Sequence, residues 1–158
     1  RADMKSIRYL IYLIIAAVLL IIPFLKDQTS IDMDDLAKAL QEKHNSEYIS
    51  EGDKSGLRKF YHINFDDVER FILYIPATSM RVNEVAIIQA KGEAQAESIF
   101  QAVNKRKEEQ LHAFEGYGIE QCELLKQAIL MRKGNYVIYV VGEDAKDLYQ
   151  IIETEVHG

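Results

Sequence analysis

The chain begins with an apolar segment that contains no charged residue from position 9 to position 25. Lys5 and Arg8 precede it. A helix over residues 7–25 is about 29 Å long, which matches the ~30 Å hydrocarbon core of a bilayer, and Arg8 can extend its charge back toward the headgroups. This pattern predicts an uncleaved transmembrane signal-anchor at residues 7–25. A cleaved signal peptide or a buried soluble helix are the alternatives, and the absence of small residues near Lys26 disfavours cleavage.

The flanking charges predict the orientation of this anchor. Positive residues favour the cytoplasmic side, and Lys5 and Arg8 both lie before the apolar segment. We therefore expect residues 1–6 in the cytoplasm, a spacer at 26–30 and an extracytoplasmic domain at 31–158. Arg1 to Asp3 precede Met4, the natural start, and are left out of the fold prediction.

Beyond the spacer, the hydrophobic pattern alternates between helical and strand spacing. Ile31, Met33, Leu36 and Leu40 recur at helical intervals, whereas residues 45–56 are polar and predict a loop. A short helical turn follows at 57–61. Strands are predicted at 70–77, 82–90, 128–132 and 136–141, and helices at 93–114, 119–126 and 143–156. Gly134-Asn135 predicts a tight turn between the last two strands.

The element order predicts an α+β domain. Two ββα-type units form a four-stranded, mainly antiparallel sheet with packed helices, preceded by the one transmembrane helix. Residues 71–75 and 136–141 are apolar on both faces of their strands, so both faces of the sheet need a cover. The second face is covered either by the helix around Leu36 and Leu40, or by a protein partner or second copy of the chain.

The net charge and the cysteine content disfavour a nucleic-acid partner and exclude an internal disulfide. The formal net charge is −6, and the densest basic run, Lys105 to Lys107, is followed directly by Glu108. An acidic surface repels phosphate backbones, so we expect no nucleic-acid partner. Cys122 is the sole cysteine, which rules out an internal disulfide.

Several short strings in the domain resemble one family. They are Tyr74-Ile75-Pro76, residues 83–88, Arg106, Gln110, Phe114, Tyr117-Gly118, Gln121 and Gly134-Asn135-Tyr136. Over about residues 32–154 the chain resembles the domain-of-unknown-function family DUF4358. That resemblance implies a bacterial, mostly Gram-positive, cell-envelope protein with one such domain behind a membrane segment or lipoprotein signal, and it implies no activity. Because no cysteine lies at the signal, a protein anchor is favoured over a lipid anchor.

Four of these residues form the candidate interaction site: Arg106, Gln110, Tyr117 and Gln121. Arg106 and Gln110 are four positions apart on the predicted long helix and therefore share a face. Their polar side chains predict either a capping network or a contact with a ligand or partner. Glu84, at a strand edge, is a possible ion-pair partner of Arg106.

The sequence lacks the patterns of catalysis. His44, His62, His112 and His157 do not have metal-ligand spacing, and Cys122 has acidic neighbours, whereas reactive cysteines lie beside basic groups. We therefore expect no catalytic residue, metal or cofactor. The predicted function is a non-catalytic, membrane-anchored extracytoplasmic interaction or sensing module of the cell envelope. The alternatives are an envelope hydrolase or transferase with dispersed acidic residues, and a structural component.

Overall fold

The structure, a computed structural model, describes residues 4–21, 30–44 and 47–157. Its helices are α1 (Met4–Ile21), α2 (Met33–Lys43), α3 (Lys54–Tyr61), α4 (Glu93–Phe114), α5 (Ile119–Lys126) and α6 (Ala145–Thr154). Its strands are β1 (Ser30–Ile31), β2 (Ile49–Glu51), β3 (Val68–Pro76), β4 (Glu84–Ala90), β5 (Ile129–Lys133), β6 (Tyr136–Val141) and β7 (Val156–His157). A short 3-10 turn, Phe65–Asp67, leads into β3.

The main sheet joins two hairpins side by side. Its strand order is β2-β3-β4-β6-β5, and every neighbouring pair is antiparallel. The central pair β4–β6 places Ile87 opposite Ile138, and both side chains are fully buried. The two predicted ββα units are present, because β3–β4 leads into α4 and β5–β6 leads into α6.

The prediction of a four-stranded sheet is wrong, because β2 adds a fifth strand at the edge. It lies within residues 45–56, which the sequence predicted as a loop, and it pairs Ile49 with Pro76. Of its three residues, Ile49 alone is buried, so no alternation of apolar and polar positions marks it. Such a short strand forms because β3 offers a partner, and local sequence does not encode it. A separate pair, β1–β7, was also missed and joins Ile31 to Val156.

Helices cover both faces of the sheet. On one face α3, α4 and α5 bury Leu57, Val103 and Leu125 against the strands. On the other face α2 and α6 bury a second apolar cluster: Leu36, Leu40, Leu148 and Ile152. The first of the two predicted covers, the helix around Leu36 and Leu40, is therefore confirmed, and α6 shares that face. Successive residues of the central strands point to opposite faces of the sheet and pack into the two clusters in turn, which explains why those strands are apolar throughout.

The predicted transmembrane helix requires a correction. The helix α1 has 18 residues and carries Lys5 and Arg8 in its first half. Its uncharged part, residues 9–21, is about 20 Å long, against a hydrocarbon core of ~30 Å. Across the described ranges, no helix has both the length and the apolar character that a membrane crossing requires. The rest of the predicted segment, residues 22–25, lies outside the described residues, as does most of the predicted spacer.

Candidate functional site

A buried ion pair joins the start of β4 to the middle of α4. Glu84 is the first residue of β4, and its side chain is completely inaccessible to solvent. Arg106 reaches it from α4, with Nε 2.9 Å from Oε1 and 3.1 Å from Oε2, while a terminal nitrogen donates to Oε2. The Arg106 side chain is 12% exposed. The pairing predicted from the sequence is thus confirmed, with the two-point geometry that makes arginine a good partner for a carboxylate.

Two aromatic residues of α3 complete this cluster. The Tyr61 hydroxyl donates a hydrogen bond to Oε1 of Glu84, so this carboxylate accepts from two side chains. The ring of Phe60 lies beneath the Arg106 guanidinium, with 4.5 Å between its centroid and the guanidinium carbon. The Tyr61 ring centroid lies 5.5 Å from the same carbon. The ion pair therefore ties α3, α4 and β4 together through one carboxylate.

The environment of the cluster shifts the pKa of three groups. Burial raises the pKa of the Tyr61 hydroxyl well above its ordinary value, and the charge of Glu84 adds to that shift. Burial also raises the pKa of Tyr139, a fully buried residue of β6, with a further contribution from Glu84. For Arg106, burial lowers the pKa, but the hydrogen bonds and charge of Glu84 outweigh it, and the net shift is upward. All three groups stay in their ordinary protonation state at neutral pH.

This arrangement places the Glu84 carboxylate entirely inside the fold. A carboxylate that is fully buried and bonded to both Arg106 and Tyr61 has no open approach for a substrate. Removing either partner from such a charge is costly, whereas the intact pair contributes little net stability. The cluster therefore sets the relative positions of α3, α4 and β4.

The four predicted interaction residues fall into two groups. Arg106 and Gln110 lie one turn apart on α4, and Gln110 has a buried Oε1 without a hydrogen-bond partner in the described part of the chain. Tyr117 and Gln121 lie beyond the end of α4, which is about 12 Å along the helix axis from Arg106. The Gln121 Oε1 approaches the backbone of Gly118, at 3.2 Å from where a Cβ atom would lie. The structure thus separates an inner pair from a surface pair.

The surface pair belongs to a corner between α4 and α5, which we call the α4–α5 corner and define as residues 114–121. Gly116 adopts a φ of 90°, and this left-handed conformation turns the chain. The Tyr117 ring packs 5.5 Å from that of buried Phe114, yet Tyr117 is 64% exposed and Ile119 is 77% exposed. The corner presents two large apolar side chains on a backbone that Phe114 anchors in the core.

A second polar cluster lies at the same end of β4 as Glu84. Asn83 is buried and donates a hydrogen bond from Nδ2 to Glu143, which also pairs with Arg81 at 3.4 Å. Asp144 lies next to it, and burial raises the pKa of its carboxyl group. A cavity of about 10 Å³, lined partly by Glu84 and Asp144, has room for about one water molecule. It is too small to hold a substrate.

Sequence reasoning missed several of these residues: Phe60, Tyr61, Asn83, Tyr139 and Asp144. One signal was available, because Tyr61 follows Leu57 by four positions on α3 and therefore shares its buried face. A buried tyrosine hydroxyl usually finds a hydrogen-bond partner. Within residues 4–21, 30–44 and 47–157, no three His, Cys, Asp or Glu side chains form a group suited to a metal ion.

Comparison with known proteins identifies a family without assigning chemistry. A family model described as "Domain of unknown function (DUF4358)" matches residues 41–142. This range includes both Glu84 and Arg106 of the buried cluster and the whole α4–α5 corner. No curated protein and no solved structure matches the chain.

Proposed function

Because the chain belongs to the DUF4358 family, a domain of unknown function, we propose from its own geometry that it is a non-enzymatic binding module. It engages a protein partner through the α4–α5 corner. The observation that carries this proposal is the exposure of Tyr117 and Ile119, two residues apart on one turn. Tyrosine is enriched among the residues that contribute most to protein interfaces.

The local backbone supports the same proposal. An exposed aromatic ring contributes more to binding when it is already held in place, because less conformational entropy is lost. Tyr117 is held by its ring contact with Phe114, and Gly118 packs so closely that a Cβ atom there would lie 2.5 Å from Phe114 Cδ1. Gln121 supplies a polar group beside the apolar pair. This combination suits a partner with an apolar pocket and a polar rim.

The enzymatic alternative receives no comparable support. An enzyme of that kind would require a pocket that gathers Glu84, Arg106 and a carboxyl group of raised pKa. Glu84 and Asp144, whose pKa burial raises, do line one cavity, but that cavity admits about one water molecule. Arg106 is meanwhile engaged with Glu84.

We test the corner by partner capture with paired variants. The full chain carrying Tyr117→Ala and Ile119→Ser is compared with the unchanged chain and with Met80→Ser. Met80 is a suitable control because it is a large apolar side chain, 62% exposed, in the β3–β4 connection. A partner captured by the unchanged chain and by Met80→Ser, but lost from the corner variant, supports the proposal. Equal capture by all three chains contradicts it, and matching thermal unfolding curves confirm that each chain is folded.

The proposed location is the bacterial cell envelope, with α1 attached to the membrane surface and residues 30–157 outside the cytoplasm. The apolar side chains of α1, such as Leu13 and Leu20, are exposed, and such a helix is stable when lipid covers it. Arg8 at its beginning complements anionic headgroups.

Two measurements test this location. In a Cys122→Ser chain, Gln150→Cys places a single thiol on the exposed side of α6, and a membrane-impermeant maleimide labels it on intact cells if the domain lies outside. Labelling after lysis alone contradicts an outward domain. Sedimentation with membranes is lost in Leu13→Lys but kept in Ile119→Lys, the same change at an exposed position outside α1. Equal sedimentation of both variants contradicts attachment through α1.

A further inference from the structure

A basic groove runs along α3 in a chain that is otherwise acidic. It has a volume of about 630 Å³, and its lining includes the cations Lys54 and Arg58 together with His62. Residues 54–65 contain no acidic residue, although the whole chain has a formal net charge of −6. The groove is therefore positively charged, whereas the chain as a whole is negatively charged, and a positive groove favours an acidic ligand.

These three side chains form a row that begins on α3 and ends at its C-cap residue. Lys54 and Arg58 lie one turn apart on α3, and His62, four positions further on, is the C-cap residue of the helix with a φ of 55°. All three are exposed. In the described part of the chain, none of the three takes part in an ion pair. Their hydrogen-bonding capacity is available to a ligand.

An apolar surface lies beside this row. Phe65 is partly buried, with its ring edge-on to Phe71 at 6.1 Å between centroids. The Lys54 ammonium lies 4.1 Å from the Phe65 centroid, and Ile63 is buried in the same wall. A ligand that fills the groove therefore meets both positive charge and an aromatic ring.

The buried face of α3 holds the row in position. Leu57 and Tyr61 are fully packed beneath it, and the Tyr61 hydroxyl binds Glu84. A helix fixed in this way presents its outer side chains from a rigid backbone, which lowers the entropic cost of binding.

The residues at the start of α3 disfavour a phosphate group as the ligand. Phosphate groups favour the free amides of a helix N-terminus, but here the Asp53 carboxylate accepts from the Gly56 amide at 3.0 Å. A phosphate at that end meets a negative charge. The open groove with spaced cations suits carboxylates that alternate along an extended chain, about 7 Å apart on one side.

We propose that the α3 groove binds an extended acidic peptide segment of a partner protein. The Lys54 and Arg58 side chains pair with its carboxylates, and the His62 ring donates a further hydrogen bond. An apolar residue between the acidic ones contacts Phe65. This site is independent of the α4–α5 corner, and it would remain if the corner bound nothing.

The test uses a defined probe and two matched variants. Fluorescein-labelled hexaglutamate is titrated with the purified full chain in mild detergent at low ionic strength, and binding is followed by fluorescence anisotropy. Arg58→Gln weakens binding by about tenfold, because one charge-assisted contact is lost. Lys59→Gln removes the same charge from the same helix, but Lys59 does not line the groove, and binding changes less than about twofold.

Further results of the same binding experiment either support the proposal or contradict it. Weaker binding at higher salt and no binding of hexaglutamine support it. Absence of hexaglutamate binding up to about 1 mM overturns it, as does equal weakening in Arg58→Gln and Lys59→Gln. Displacement of the peptide by equimolar inorganic pyrophosphate also overturns it, because the groove is then a general anion site.

Discussion

The Arg106 guanidinium and the Glu84 carboxylate form a two-point ion pair that crosses from α4 to β4, in which the carboxylate is fully buried. The pair holds the long helix over the centre of the sheet, and Tyr61 joins α3 to the same carboxylate. Three elements therefore depend on one charge. Because a buried charge is costly without its partners, the stability of the domain is sensitive to changes at this ion pair.

Arg106→Gln lowers the free energy of unfolding by about 3–5 kcal/mol, because it leaves the Glu84 carboxylate buried without its cation. Urea unfolding followed by circular dichroism measures the change. Lys105→Gln is the matched control, since the neighbouring Lys105–Glu109 pair is exposed, with 3.7 Å between its charged atoms. That variant changes stability by less than about 1 kcal/mol. Similar decreases in the free energy of unfolding of the two variants would show that the buried pair contributes no more to stability than the exposed pair.

Removing the side-chain hydroxyl has different expected effects on stability at Tyr61 and at Tyr139. Both residues are fully buried, but the Tyr61 hydroxyl donates to Glu84, whereas that of Tyr139 has no hydrogen-bond partner among the described residues. Tyr61→Phe therefore costs about 1–3 kcal/mol, and Tyr139→Phe is neutral or stabilising. Urea unfolding of both variants measures this difference. A larger loss for Tyr139→Phe than for Tyr61→Phe would contradict the assigned hydrogen bond.

The elements with local signals were predictable from the sequence. Gly134-Asn135 predicted a tight turn between two strands, and the structure places Gly134 at φ 54° between β5 and β6. The long helix ends at Phe114 as expected, because Gly116 and Gly118 follow it. Glycine turns and helical periodicity lie within a few residues of each other, so they can be detected without tertiary information.

Features that depend on distant partners were not predictable. The strand β2 exists because β3 extends far enough to pair with it, and Ile49 gives no sign of this by itself. Tyr61 lies 23 positions before Glu84, and their hydrogen bond forms because α3 and β4 meet in the core. The basic row on α3 was likewise missed, since residues 45–56 were interpreted as a loop and the helix was predicted to begin at Leu57.

Alkaline pH destabilises the domain through its buried tyrosines. Burial raises the pKa of Tyr61 and of Tyr139 above the ordinary value of 10.0. A group whose pKa is raised by folding contributes its full stability below the unfolded pKa, and this contribution is lost as pH rises above it. The free energy of unfolding therefore falls above about pH 10, by up to about 1.4 kcal/mol per pH unit for each tyrosine.

Urea unfolding between about pH 8 and pH 11 measures this slope. The Tyr61→Phe, Tyr139→Phe double variant loses most of it, whereas Tyr117→Phe, at an exposed position, keeps it. A double variant with the same alkaline slope as the unchanged chain would assign the effect to other groups.

Gly118→Ala disturbs the α4–α5 corner through packing. A Cβ atom there would lie 2.5 Å from Phe114 Cδ1 and 3.1 Å from Phe114 Cβ, and that ring is buried and cannot move freely. The expected cost is about 1–3 kcal/mol in thermal or urea unfolding, with altered near-ultraviolet circular dichroism from the Phe114 and Tyr117 rings.

Gly92→Ala is the control for this prediction. Its Cβ atom also makes a close contact, at 2.8 Å, but the atom it meets is the end of the flexible Gln95 side chain, which can turn away. The control costs less than about 1 kcal/mol and leaves the aromatic signal unchanged. If partner capture by the corner weakens in Gly118→Ala and persists in Gly92→Ala, the position of Tyr117 determines binding. Equal stability and equal aromatic spectra in both variants would mean that the contact with Phe114 does not constrain the corner.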